Sequence, residues 1–147
     1  MIQGDMQMAK SIVRIVSVEL FNFKNVSYGM LDFENNRKPY RSSILGLYGQ
    51  NGSGKTALID ALELLKLNLS GRPVPVSFAE HVNVDAEYAT LRFNFKVTNQ
   101  DIESEYLATY EFSIRKDIDD SAYNLDSSNI PVEHYKATIF NEILSCS

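Results

Sequence analysis

Residues 49–56 constrain the fold of this chain more than any other segment. The glycines there permit backbone conformations that are closed to residues with a Cβ atom, and they let the backbone approach phosphate oxygens. The N–H groups of such a loop and the positive end of the following helix together attract anions. The segment matches the P-loop pattern G-x-x-x-x-G-K-[ST] and consists of Gly49, Gln50, Asn51, Gly52, Ser53, Gly54, Lys55 and Thr56.

The residues on either side of this loop supply the strand and helix that a P-loop requires. Residues 43–48 form a short apolar run, typical of a strand that is buried on both faces. From Lys55 to Leu69, apolar residues recur at helical spacing, and Gly71 with Pro73 predicts the end of the helix. In this context Lys55 would bind the β- and γ-phosphates and Thr56 would offer a hydroxyl to Mg²⁺. The sequence therefore predicts ATP and Mg²⁺ as ligands.

The rest of the chain is dominated by the two-residue alternation that is typical of β-strands. Strands are predicted at residues 16–20 and 30–34, and an antiparallel hairpin at residues 90–98 and 106–115. A last short strand is predicted at residues 135–139.

These elements predict an α/β fold of the P-loop NTPase type, in which a mixed sheet packs on the P-loop helix and an antiparallel β lobe follows. Residues 1–11 are interpreted as a flexible lead-in and residues 12–147 as a single lobe, incomplete at its C-terminus. Within that lobe, residues 12–72 form the P-loop core and residues 73–147 the mainly antiparallel region.

Composition limits the location and the partners of the chain. Its 147 residues include one cysteine, which excludes an internal disulfide and favours a reducing, cytoplasmic location. The sequence shows no membrane span. The net charge of -5 gives no general support for nucleic-acid binding. Arg92, Lys96 and Arg115 would form a basic stripe on the polar face of the hairpin, although Glu111 shares that face.

Two segments resemble ATPases of the SMC, RecF and OLD type, within the AAA family ATPases. Residues 15–25, Ile-Val-Ser-Val-Glu-Leu-Phe-Asn-Phe-Lys-Asn, are similar to their first strand and turn, and residues 46–62 to their Walker A strand and helix. The resemblance implies the N-terminal part of an ABC-type head, in which two heads hold ATP between them. It implies a homodimer or a second ATPase head as partner, with DNA or a nuclease as a further partner of the full-length protein. The implied role is DNA maintenance or phage defence.

The same resemblance implies that Lys24 and Asn25 lie near the nucleotide. The chain departs from the family pattern in having no run of four apolar residues followed by Asp-Glu, the Walker B motif. Leu69-Ser70-Gly71-Arg72 is similar in letters to the family's signature motif, but it ends the P-loop helix, so we interpret it as a helix cap. Catalytic residues thus stay unassigned, and ATP hydrolysis is expected of the full-length protein.

Two alternatives remain open from the sequence. A non-catalytic module that senses nucleotide or serves as a scaffold would need the P-loop but no Walker B motif. A P-loop phosphotransferase is disfavoured, because two strand patterns precede the loop and antiparallel β structure follows the helix.

Overall fold

The computed structural model describes residues 10–34, 54–119 and 134–147. The strand predicted at residues 43–48 and the loop residues 49–53 lie outside these ranges, as does most of the predicted lead-in. The elements in chain order are β1 (Ser11–Phe23), β2 (Val26–Asp32), α1 (Lys55–Leu69), a 3₁₀ helix (Val76–His81), β3 (Tyr88–Asn99), β4 (Ser104–Ile118) and β5 (Tyr135–Cys146).

The described strands form one antiparallel sheet in the order β2-β1-β3-β4-β5, and not the mixed sheet that the sequence predicts. β1 pairs along both of its edges, with β2 on one and β3 on the other. The early strands and the β3–β4 hairpin therefore belong to the same sheet. Residues 43–48, which the prediction places in the same sheet, lie outside the described part of the chain.

The helix α1 packs on one face of this sheet, and its bounds agree with the sequence prediction. One continuous hydrophobic cluster joins the helix to β1, β3 and β4. Burying these side chains is the main favourable contribution to the stability of the fold. The fully buried large side chains are Val18, Phe23, Leu64, Leu91, Phe93, Phe112 and Ile114.

The C-terminus of α1 is closed by glycine, as the sequence predicts. Gly71 adopts a φ of 66°, in the left-handed region that disfavours residues with a Cβ atom. Its N–H donates to the carbonyl of Asn68, and the N–H of Arg72 donates to the carbonyl of Leu67. These two bonds form a Schellman motif. The interpretation of residues 69–72 as a helix cap is therefore confirmed.

Two bulges interrupt the strand pairing. β1 carries an extra residue at Val16 opposite β3, and β5 carries one near Asn141 opposite β4. Asn141 has a φ of 52°, which is more accessible to asparagine than to most residues. A bulge changes which side chains point to each face of the sheet. In β5 the shift accompanies a hydrogen bond from the Tyr110 hydroxyl to the Glu142 carboxylate.

The sheet face opposite α1 carries the predicted basic side chains, and each is paired with carboxylates. Arg92 contacts Glu19 at 3.1 Å and Glu111 at 2.6 Å. The remaining pairs are Lys96 with Glu34 and Glu105, and Arg115 with Asp117. The three cations are therefore neutralised locally and do not form an unpaired basic stripe.

Candidate functional site

The start of α1 has the features of an anion site. Gly54 precedes the helix with φ 93° and ψ -5°, and its carbonyl accepts the first helical hydrogen bond, from the N–H of Leu58. Among the described residues no side chain caps this end, and the first turn of α1 contains no acidic residue. The partial positive charge of the helix N-terminus is therefore not neutralised by the first turn of α1 itself.

A cavity of about 500 Å³ opens beside this helix end. Gly54, Lys55 and Leu58 line it from α1, and Asn25 lines it from the turn between β1 and β2. Its volume lies within the range of roughly 300–1,000 Å³ that is usual for small-molecule sites. The remaining lining residues are Val18, Leu20, Val26, Ser27, Tyr28, Gly29, Met30 and Leu31.

The predicted site residues fall into three groups. Gly54, Lys55 and Asn25 line one cavity, and Thr56 is exposed on the first turn of α1. Lys24 is next to Asn25, but its ammonium group pairs with the carboxylate of Asp60. The predicted loop residues 49–53 lie outside the described residues.

Lys24, Asp60 and His81 form a group that we name the Asp60 cluster. Each comes from a different element: the β1–β2 turn, α1 and the end of the 3₁₀ helix. Besides the Lys24–Asp60 ion pair, Nε2 of His81 lies 3.9 Å from Oδ2 of Asp60. The backbone N–H of Lys24 donates to the carbonyl of His81. The cluster thus joins the turn that carries Asn25 to the helix that begins with Lys55.

The His81 ring is enclosed by apolar groups. It makes edge contacts with Phe23 and Phe78, with ring centroids 5.8 Å and 4.7 Å away. Burial lowers the pKa of His81 below its ordinary value, and the positive charge of Lys24 lowers it further, while Asp60 acts in the opposite direction. The neutral imidazole is therefore favoured in the folded protein.

Sequence reasoning missed Asp60 and His81 as members of this region. Asp60 has the pattern of an ordinary polar position on an amphipathic helix, and His81 has no metal-ligand spacing to any partner. The one available signal was the position of Asp60 four residues after Thr56, which places both on the same side of α1.

The described residues fit a nucleotide phosphate. A Cβ atom at Gly54 would meet Val26 Cγ2 at 3.6 Å, which is ordinary contact, so it is the φ of 93° that requires glycine there. A lysine at the first helical position places its charge beside the helix N-terminus. In the three described ranges there is no cluster of His, Cys, Asp or Glu suited to a metal ion. Thr56 would instead offer one hydroxyl to a Mg²⁺ ion carried by the nucleotide.

Comparison with known families decides the class of the protein. The model of the AAA domain matches residues 17–146, which is most of the chain. The chain belongs to the AAA domain family. Membership supports a P-loop NTPase fold and an ATP-binding, ATPase-like function, and it implies the use of a nucleotide, usually with Mg²⁺.

Neither a curated protein nor a solved structure gives a match. In the described ranges, no helix has the length and apolar character needed to cross a membrane.

Proposed function

We propose that this AAA domain binds ATP through a Walker A loop at Gly49–Thr56 and is the N-terminal part of an ABC-type head of the SMC, RecF and OLD group. The observation that carries the proposal is the start of α1. There Gly54 in a left-handed conformation is followed at once by Lys55, and both line the cavity. A P-loop holds phosphates at such a glycine-to-lysine helix start.

Each group at the start of α1 has a different role in binding the nucleotide. The Lys55 ammonium group pairs with the β- and γ-phosphates, and the Thr56 hydroxyl is a ligand for Mg²⁺. The partial positive charge of the α1 N-terminus stabilises the bound anion. Asn25, which lines the same cavity from the β1–β2 turn, offers an amide to the nucleotide. When bound, Mg-ATP supplies the phosphoryl group whose hydrolysis we expect of the full-length protein.

The wider role follows from the family resemblance. ATP bound between two heads would hold them together, either as a homodimer or with a second ATPase head, and hydrolysis would release them. We propose a cytoplasmic protein acting in DNA maintenance or phage defence, with DNA or a nuclease as partner of the full-length protein. The paired cations on the sheet face give no support for DNA binding at that face.

A nucleotide-sensing or scaffold module is the second candidate. It is favoured by one observation, namely that the chain has no apolar run ending in Asp-Glu to position Mg²⁺ and water. A P-loop phosphotransferase is less favoured, because β1 and β2 both precede α1.

Titration calorimetry of the chain with ATP and Mg²⁺ tests the proposal, with Lys55→Ala beside it. Lys66→Ala is the matched control, since it removes a lysine from the exposed last turns of the same helix. We expect wild type and Lys66→Ala to bind alike and Lys55→Ala to lose binding. A folded wild-type chain that does not bind ATP would contradict the proposal.

Phosphate release measured on the same samples separates the two candidates. Binding without turnover is expected of this chain under both, so the decisive measurement uses the full-length protein. Turnover there supports the ATPase head, and tight binding without turnover supports the sensing module.

A further inference from the structure

We propose that Asp60 is a positioning residue of the nucleotide site. Through Lys24 it holds the β1–β2 turn against α1, so that Asn25 and Lys55 line the same cavity. The inference rests on the proposed ATP site, and it adds a residue that does not itself line the cavity.

The position of Asp60 on α1 gives it this role. It lies four residues after Thr56, so the two side chains are neighbours on the surface of the helix. The Asp60 side chain is 19% exposed and that of Lys24 is 25% exposed. An ion pair with this degree of burial is better shielded from solvent than a surface pair, and removing one partner leaves the other charge poorly solvated.

The turn itself depends on being held from outside. Its Lys24 has a φ of 53°, which costs free energy in a residue with a Cβ atom. The surrounding structure supports it by the hydrogen bond from its N–H to the His81 carbonyl and by the ion pair with Asp60. Of these two links, the ion pair is the one that reaches α1. We infer that this pair keeps the next residue, Asn25, on the same cavity as Lys55.

The Lys24–Asp60 pair also removes a negative charge from the neighbourhood of the proposed phosphate site. An uncompensated Asp60 carboxylate one helical turn from Thr56 would repel a bound phosphate. The ammonium group of Lys24 neutralises this carboxylate by forming an ion pair with it. His81 makes no compensating charge, because burial favours its neutral form.

Calorimetry with Mg-ATP on Asp60→Asn tests the proposal, since this change keeps the shape of the side chain and removes its charge. We expect ATP binding to weaken about tenfold, by analogy with the low end of the effect of residues that orient the ligands of a metal site. Lys24→Met should weaken binding at least as much, and the double variant should be no weaker than Lys24→Met. Lys24→Arg, which preserves the ion pair, should remain near wild type.

Glu63→Gln is the matched control, because it removes a carboxylate from the exposed surface of α1 within one turn of Asp60. Affinities are compared at a temperature at which melting curves show every variant to be folded. A residue that served only stability would lower the melting temperature and leave the affinity of the folded protein unchanged.

The outcomes separate this inference from the proposed function. If wild type binds ATP and Asp60→Asn binds equally well or more tightly, the positioning role is wrong while the ATP site stands. Additive losses in the double variant would likewise overturn it, since they would show that Asp60 does not act through Lys24. Failure of wild type itself to bind would remove the ATP site and the positioning role with it.

Discussion

At the scale of single residues, the pKa of His81 is set by burial and by nearby charges that act in opposite directions. Phe23 and Phe78 surround its ring, and its Nδ1 has no hydrogen-bond partner in the described part of the chain. If Nδ1 were protonated, a buried N–H group would lack an acceptor. The carboxylates of Asp60, Glu63 and Glu80 favour the cation, but burial is the largest influence on the His81 pKa and lowers it.

We expect the free energy of unfolding to decrease as the pH falls below about 6.5, the ordinary pKa of histidine. Because the His81 pKa is lowered in the folded state, the unfolded chain binds the proton first as the pH falls. The stability is thus fully present above that pH and is lost towards the lowered pKa. Urea unfolding at pH 7.5 and 5.5 measures the difference.

His81→Phe keeps a ring between Phe23 and Phe78 and removes the titrating group, so it is the control for this experiment. We expect a smaller difference between the two pH values in this variant. An undiminished difference would assign the effect to other groups, such as the carboxylates.

The sequence pattern supplies the residues that we propose for the phosphate site, but not the side-chain contacts around them. Lys55 and Thr56 follow from the loop pattern, which is local in the chain. The Lys24–Asp60 pair joins residues that are 36 positions apart and depends on how β1 and α1 pack. Neither a lysine at position 24 nor an aspartate at position 60 indicates its partner in the sequence. This contact is therefore seen only in the structure.

At the scale of elements, α1 is the helix whose packing can be tested most directly. Its buried positions are Ala57, Leu58, Ala61, Leu64 and Leu65. The other side of the helix is exposed, and Leu69, which the apolar spacing includes, is 63% exposed because it lies at the end of the last turn.

Leu64→Ala is expected to reduce the free energy of unfolding by about 2–5 kcal/mol, since Leu64 is completely buried and the change leaves a cavity. Ile59→Ala removes an aliphatic side chain of the same size from the exposed side of α1, and it should cost roughly 0.5 kcal/mol or less. Urea unfolding of both variants checks the comparison. Similar losses would mean that α1 does not pack as described.

The strands show where sequence patterns succeed and where they fail. β3 and β4 alternate without interruption, and the predicted hairpin agrees with the structure to within a few residues. β1 and β5 extend well beyond their predicted ranges, because a bulge in each breaks the two-residue period. β2 begins earlier than predicted because its two-residue turn lacks the usual Asn-Gly or Asp-Gly signal.

At the scale of the whole molecule, the sheet and α1 share one hydrophobic cluster, and the cavity lies between them. A ligand in this cavity would contact β1, β2 and α1 together. Binding should therefore stabilise the folded state as a unit.

ATP with Mg²⁺ at a hundredfold excess over its Kd should stabilise the chain by about 2.7 kcal/mol. For a domain of this size this corresponds to a rise in melting temperature of roughly 5–10 °C. Differential scanning fluorimetry measures the shift, with Mg²⁺ alone as control. Lys55→Ala should show no shift, and an equal shift in that variant would place the bound nucleotide elsewhere.

The bulge in β5 has a consequence for how these molecules behave at high concentration. β5 is the last strand of the sheet, and among the described residues no strand pairs with its outer edge, which is the kind of edge that can pair with another chain. A strand of a second copy aligned there would meet an extra residue near Asn141 and a local change of twist. Regular backbone hydrogen bonding between the two strands would be interrupted at that point. We expect the irregularity to protect the chain from growing into fibres, even though Ile143 and Leu144 are exposed beside it.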